Sequence, residues 1–465
     1  MPELKKNFVV FESDDEKVIE EFVGIEIYST PDIKGINGDY KTNYIDFIVK
    51  EITNDGKILE IKEDSPPIPF SRDTNDKYTT FNLVKIEKDT FEAINQLCST
   101  LHIPSHFITY SGLKDKHAVT VQKVSIRGNF VEKLQEIEID NLYIRSINPT
   151  RKPVRLGSNR GNHFIITIRN IEDVPNLENT LQKSIDTLKK KGFPNYFGLQ
   201  RFGKYRPNSH LVGKLILKKE YEQTFNEFIL RKYSSESPRL QQIRDKVRHL
   251  IYDEQNFSEV LNIFPKSLSY EWDMLDYFNQ HPMDFKGAVF QLPKKLITLL
   301  INAFQSYLFN RMISLRVSEN YPLAKPVKGD NICILDDLNG QPTNVNYIYG
   351  SLYDEYLEEA LEMGRAAIVA PIVGYDTDLN NYPLMQKFFT QILEEESIDP
   401  SIFQSEWLKE FEFKGSFRPI VIRPVGLDML ELEDDEVNQG KKKVKIEFSL
   451  LKGSYATMLL REIMK

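Results

Sequence analysis

Residues Tyr110 to Gln122 read YSGLKDKHAVTVQ. An apolar approach, Phe107-Ile108, runs into Gly112, then Lys114-Asp115-Lys116. A strand follows, from Val119 to Arg127. A carboxylate at a glycine-containing turn between strands is held by backbone on both sides. Lys114 and Lys116 would stabilise its negative charge if their ammonium groups lie near it. Such a group can act as a nucleophile or a base. A solvated hairpin tip uses the same residues, so the turn alone does not separate chemistry from a bend.

Outward from this turn the chain alternates strands and helices. Tyr44 to Thr53 reads as a strand with Ile45, Phe47 and Val49 on one face, and Thr80 to Glu87 as a second. Asp89 opens a helix: Glu92 stands three residues on, as in a capping box, and Phe91, Ile94, Leu97, Cys98 and Leu101 follow at helical spacing. Phe164 to Arg169 is a further strand. Leu177, Leu181, Ile185 and Leu188 mark a helix that Gly192 and Pro194 stop. The middle is more helical, with an amphipathic helix from Leu296 to Met312. Leu323 to Phe413 mixes short strands, acids and polar loops, like an inserted unit. Near the C-terminus Val444, Ile446, Phe448 and Leu450 alternate as a strand, Gly453 turns the chain, and Ala456 to Ile463 form a helix. Strands at both ends around a helical middle predict an α+β domain interrupted by an insertion.

At 465 residues the chain exceeds one ordinary core, so two or three domains are expected. No apolar run approaches the roughly 20 residues that cross a bilayer, and Met1 to Asp14 lack the pattern of a secretory leader. Cys98 and Cys333 stand far apart, which fits a reducing, cytoplasmic setting. The histidines show no metal-ligand spacing, and no phosphate-binding glycine loop occurs, so neither metal nor cofactor is expected. His163 has no nearby triad partner and reads as structural.

The formal charge is -8, yet the charge is unevenly spread. Arg145, Arg151, Lys152, Arg155, Arg160 and Arg169 fill a window without an acid. Arg201, Lys204, Arg206, Lys214, Lys218 and Lys219 fill another, and Lys441, Lys442, Lys443 and Lys445 cluster near the end. A basic face on an acidic molecule suits RNA, although any one such run also suits plain solvated surface. Running into the second window, Phe193 to Gly203 reads FPNYFGLQRFG. Aromatics stack on unpaired bases, the amides of Asn195 and Gln200 read base edges, and Arg201 reaches phosphate. A buried aromatic cluster over a helix end is the competing reading.

Together these stretches resemble the TruD family of pseudouridine synthases. SGLKDKHAVTVQ is similar to its catalytic motif, G-x-K-D-[KR]-x-A-x-T-x-Q, and FPNYFGLQRFG to its PNYFGxQRFG. KTNYIDFIVKEI, Lys41 to Ile52, resembles its opening K-x-x-P-x-D-F-x-V-x-E, with Tyr44 where proline is usual. NAFQSYLFN matches a family helix, and FSLLKGSYATMLLREIMK its closing segment. The extra length between Lys219 and Lys414 is more like archaeal and eukaryotic relatives. The resemblance implies a catalytic domain on a mixed, mostly antiparallel sheet (residues 1–212 plus 416–465) interrupted by a TRUD insertion (213–415).

It also implies a tRNA pseudouridine synthase, an isomerase that breaks the uracil N1 glycosidic bond, turns the base and rejoins it through C5. The target would be uridine-13 of the D arm. The catalytic aspartate falls on Asp115, the nucleotide-contacting residues on Asn195 and Phe197, the opening-strand phenylalanine on Phe47 with Lys41 before it, and the closing-strand phenylalanine on Phe448; Phe47, Phe197 and Phe448 would shape or stack on the extruded nucleotide, with Asn195 hydrogen-bonded to it. Asp115 would attack sugar or base, or remove the sugar C2′ proton. Gln122 or Arg201 would orient it, and Lys114 or Lys41 would stabilise a uracil anion. The partner is tRNA, with no membrane, and the protein is expected to be monomeric. A non-catalytic RNA-binding protein on the same scaffold is the alternative.

Overall fold

The computed structural model describes residues 16–70, 75–203, 205–336, 340–350, 354–411 and 413–465. Met1 to Asp14 and Lys204 lie outside the described residues. In chain order the strands are β1 (Asp39–Tyr40), β2 (Phe47–Thr53), β3 (Tyr78–Ile86), β4 (Ile108–Tyr110), β5 (Val119–Arg127), β6 (Leu142–Thr150), β7 (Asn159–Glu172) and β8 (Phe193–Pro194). They continue with β9 (Asn331–Leu335), β10 (Pro342–Ile348), β11 (Ala366–Ile372), β12 (Ser416–Pro419), β13 (Val421–Ile422), β14 (Val425–Asp434) and β15 (Lys441–Leu451).

Both ends of the chain feed one large sheet, ordered β14-β15-β7-β2-β5-β3-β6, with β1 added on β7 and β4 on β5. Among the described residues only β2 and β5 pair in parallel, because β3, the helix Thr90–Leu101 and β4 carry the chain across between them. The sheet is therefore mixed and mostly antiparallel. Alternation in the sequence sets its faces. Val444, Ile446, Phe448 and Leu450 of β15 are all buried. Register places Phe448 opposite Phe164, Phe164 opposite Val49, and Phe47 opposite Ile166, so apolar side chains form rows across three strands.

The middle of the chain supplies helices and a second sheet, ordered β10-β9-β11-β12. The helix Lys294–Ser318 joins the two parts. From Leu300 onward most of its residues are buried, whereas Leu299 is exposed, so the helix is enclosed rather than simply amphipathic. It packs on the helix Ser209–Leu217 at Gly213, where a Cβ would lie 2.1 Å from the Leu300 carbonyl oxygen. The expected boundary at Gly213 thus falls inside a packed helix. β12, beyond the expected boundary at Gly415, pairs with β11 of the second sheet.

Two local expectations are corrected. Tyr44–Asp46 is a 3-10 turn, and the strand begins at Phe47. The cause is Asp46, whose carboxylate accepts from the Asn43 amide (2.9 Å) and pairs with buried Arg169 (2.9 Å), drawing it inward and leaving Ile45 exposed. Phe91 is also exposed, because it lies on the solvent side of its helix while Thr90, Ala93 and Ile94 turn inward. Asp89 caps that helix by accepting from the Glu92 amide.

Candidate active site

The turn Ser111–Lys116 crosses one face of the large sheet and is fastened by side chains from three strands and a helix. From β2, Glu51 takes Lys114 Nζ (2.9 Å), the Ser111 hydroxyl and the Lys123 amide (3.1 Å). Thr90, at the start of its helix, accepts from the Lys114 amide (3.0 Å) and donates to Gln122 Oε1 (3.3 Å). Gln122 Nε2 in turn donates to the Gly112 carbonyl (3.0 Å). From β3, fully buried Lys85 donates to the carbonyls of Asp115 (2.6 Å) and Lys88 (2.5 Å). Burial pushes the Lys85 ammonium down to about 8, against the pull of the Asp115 and Asp89 carboxylates.

Asp115 itself keeps its carboxylate at the surface, with its side chain 40% exposed. Its ion-pair partner is Lys41, at 2.8 Å, whose Nζ also sits 4.1 Å above the Phe47 ring. Lys41 adopts φ 66°, a left-handed conformation that costs a residue with a Cβ about 1 kcal/mol. The lysines flanking Asp115 in sequence do not serve it. Lys114 is committed to Glu51, and Lys116 to Glu92 at 3.3 Å. Side chains of successive residues diverge at a turn, and this corrects the roles expected for Lys114 and Lys116. Gln122 likewise holds the Gly112 backbone and not the Asp115 carboxylate.

Phe47 lies beside Phe164 (6.2 Å between centroids), and Phe164 stacks on Phe448 (5.2 Å, 23°). Phe448 is 0% exposed. It has no free face for a base and instead supports Phe164 from below, which corrects the stacking role expected for it. Phe47 is also buried, under Lys41.

The FPNYFGLQRFG stretch is held from the far side by the helix Lys294–Ser318. Asn310 bonds both the amide (2.8 Å) and the carbonyl (3.0 Å) of Phe197, and Ser314 bonds the Tyr196 hydroxyl (2.7 Å). Asn195 Nδ2 donates to the Pro419 carbonyl (2.8 Å), while its Oδ1 accepts from Arg418 Nη2 (2.6 Å). The Arg418 guanidinium covers the Phe197 ring at 4.3 Å. Arg201 donates to Ser306 (3.1 Å) and lies 5.9 Å from the Phe197 ring, so it does not orient Asp115. Arg418 was not legible as a site residue, since it lies past the insertion and outside every basic window.

Those basic windows are thinned by pairing. Lys445, Lys443 and Lys442 lie opposite Glu431, Glu433 and Asp434 in the β14–β15 ladder and form ion pairs with this acidic run. Lys441 pairs with Glu172. Arg169 is buried between Asp46 and Asp435, Arg206 bonds backbone carbonyls in the interior, and Lys214 pairs with Glu396. Lys441–Lys445 is therefore a neutralised ladder, which corrects the expectation of a free basic strip there. Arg155 and Arg160 have no ion-pair partner among the described residues.

A family model described as tRNA pseudouridine synthase D (TruD) matches residues 22–463. The chain belongs to the TruD family. The probable tRNA pseudouridine synthase D of Methanosarcina mazei is 33% identical over 451 residues, spanning 96% of this chain and 97% of that one. The probable tRNA pseudouridine synthase D of Methanococcoides burtonii is 31% identical over 449 residues, again spanning 96% and 97%. The crystal structure of the putative tRNA pseudouridine synthase D (TruD) from M. mazei superposes with a TM-score of 0.80 at 32% identity, covering 96% and 98% of the two chains. By family this TruD chain is a tRNA pseudouridine synthase, an isomerase. No described helix is long and apolar enough to cross a membrane.

Proposed function

We propose that this TruD-family chain isomerises uridine-13 of the tRNA D arm, with Asp115 as the reacting carboxylate. One observation carries this reading. The loop around Asp115 is clamped by buried side chains, yet the Asp115 carboxylate is left at the surface against Lys41. A positioned, reachable carboxylate beside a cation is what attack on sugar or base, or removal of the C2′ proton, requires. Lys41 neutralises Asp115 at rest and stands where it can stabilise a uracil anion once that bond breaks. The base must leave its stack to arrive there. Asn195 and Phe197 contact the extruded nucleotide, and Phe47 beneath Lys41 shapes the floor.

The remaining roles follow. Catalysis belongs to the part built on the large sheet, and the insertion carries the second sheet, with junctions near residues 213 and 415 packed across both. Arg155, Arg160 and neighbouring exposed cations hold the RNA backbone. The protein acts as a cytoplasmic monomer, in keeping with two buried, unbonded cysteines, Cys98 and Cys333. Asp115→Asn tests the chemistry. It should keep the fold and tRNA binding but release no tritium from 5-tritiated uridine in tRNA. Full activity in that variant would overturn the assignment. Carbodiimide mapping of wild-type product names the position. RNA binding with no pseudouridine formed would favour the non-catalytic alternative.

A further inference from the structure

Arg418, on β12, is a half-buried guanidinium with no carboxylate partner among the described residues. Its Nε donates to the Asn195 carbonyl (3.0 Å) and its Nη2 to Asn195 Oδ1 (2.6 Å). Its plane covers Phe197 at 4.3 Å, with the Phe309 and Tyr455 rings each at 5.8 Å. Two carbonyls and three rings offset part of the cost of burying the charge. Nη1 is left over. It makes no hydrogen bond among the described residues and faces Gly453, 3.7 Å from where a Cβ on that glycine would sit.

The space beyond is a cavity of about 620 Å³ whose wall includes Arg418, Asn195, Arg160, Lys452 and Arg423, with two carboxylates among the described residues, Asp336 and Glu362. Arg423 bonds only carbonyls, those of Lys190 and Leu361. A cation-rich concavity with low-dielectric walls concentrates anions. The rim also touches the catalytic turn. Lys452 Nζ donates to the Gly157 carbonyl (3.0 Å), and the Gly157 amide donates to the Ser111 carbonyl (2.6 Å).

We propose that Arg418 is a substrate-phosphate anchor: Nη1 takes a non-bridging oxygen of the backbone phosphate next to the extruded uridine, while Nε and Nη2 hold Asn195. The inference rests on the reading of Asn195 and Phe197 as nucleotide contacts. Guanidinium suits this role because its donors lie in one plane and bind phosphate without giving up the bonds to Asn195. Burial lowers Arg418 to about 10, so it is still a cation at neutral pH when the phosphate arrives.

A chemical double-mutant cycle tests this. Wild type, Arg418→Gln and Arg418→Lys are assayed on tRNA bearing a single methylphosphonate at each linkage within two nucleotides of the converted uridine. Arg418→Gln should lower kcat/KM on unmodified tRNA by about 10- to 100-fold, as loss of one charge-assisted bond does. One methylphosphonate should impose a similar loss on wild type and no further loss on Arg418→Gln. The salt slope of tRNA binding should fall by about one in Arg418→Gln and stay unchanged in Arg418→Lys. Losses that multiply at every linkage, or a salt slope unmoved by Arg418→Gln, would overturn the proposal and leave Arg418 a prop for Asn195. Should Arg418→Gln fail to fold, Arg418→Lys completes the cycle, because its shorter reach should still weaken the response to that one linkage. A wild type that converts no uridine would sink the proposed function, while the salt slope of binding would still judge Arg418.

Discussion

Replacing Lys114 by methionine removes the cation from a pair in which both members are enclosed, with Lys114 4% and Glu51 1% exposed. Glu51 would keep two donors, the Ser111 hydroxyl and the Lys123 amide. Breaking a buried pair by deleting one partner costs about 3–5 kcal/mol, because the other charge is stranded. The two surviving donors place the expectation near the lower figure. Adding Glu51→Gln removes the stranded charge while Oε1 still accepts from the Lys123 amide and Nε2 donates to the Ser111 hydroxyl, which turns to accept. The double variant should therefore recover most of the loss, to within about 1 kcal/mol of wild type. Urea unfolding followed by circular dichroism reads the stability, and tritium release reads kcat. Both should fall together in Lys114→Met and recover together in the double variant, since the same clamp sets loop position and loop stability. A single variant as stable as wild type would refute the clamp. A kcat that stays low in a fully stable double variant would instead place Lys114 on the substrate.

Phe448→Ala should cost about 3–5 kcal/mol in urea unfolding, as truncation of a buried phenylalanine does. An unchanged stability with only a raised KM would restore its role as a stacking surface. Lys85 gives a pH signature. Its folded pKa of about 8 lies below the ordinary 10.5, so the native state resists protonation and the cost is fully present below pH 8. Stability should therefore rise, relative to Lys85→Met, by about 1.4 kcal/mol per pH unit as pH climbs above 8. A flat difference between pH 7 and 9.5 would show that Lys85 ionises normally. Among the surface cations, Lys445→Ala should leave the salt slope of tRNA binding unchanged, whereas Arg155→Ala should lower it by about one. The reverse order would return the β14–β15 hairpin to the RNA face.

The strands were legible because their alternation is local. β15 falls where period two places it and its faces follow, whereas β5 has the expected ends but is buried on both faces, with Val119 and Val121 on one and Val124 and Ile126 on the other. Asp115 could be read as the carboxylate of a glycine turn, but its partner could not. Lys41 lies 74 positions away in the chain, and only the pairing of β2 with β5 brings it near. The same holds for Glu51 and Lys85, whose work depends on strands that meet side by side. Lys114 and Asp115 are neighbours in sequence, but their side chains part, Lys114 to Glu51 and Asp115 to Lys41. One missed feature did leave a signal. Acids from Glu431 to Glu436 and lysines from Lys441 to Lys445 flank a short turn, which is how a charge-paired hairpin is written.

β15 has a consequence for the order of synthesis. β7 lies between β2 and β15, and Phe164 on β7 rests on Phe448 of β15. A nascent chain that has already made Asp115, Lys41 and every residue of the loop clamp still has one edge of β7 bare. It also lacks Arg418, which steadies Asn195. Chains grow from the N-terminus and fold by units as they emerge. A ribosome-bound fragment thus carries the reacting group without a floor beneath it or a grip beside it, and stays inert toward the tRNAs crowding the translating ribosome until the hairpin of β14 and β15 has closed.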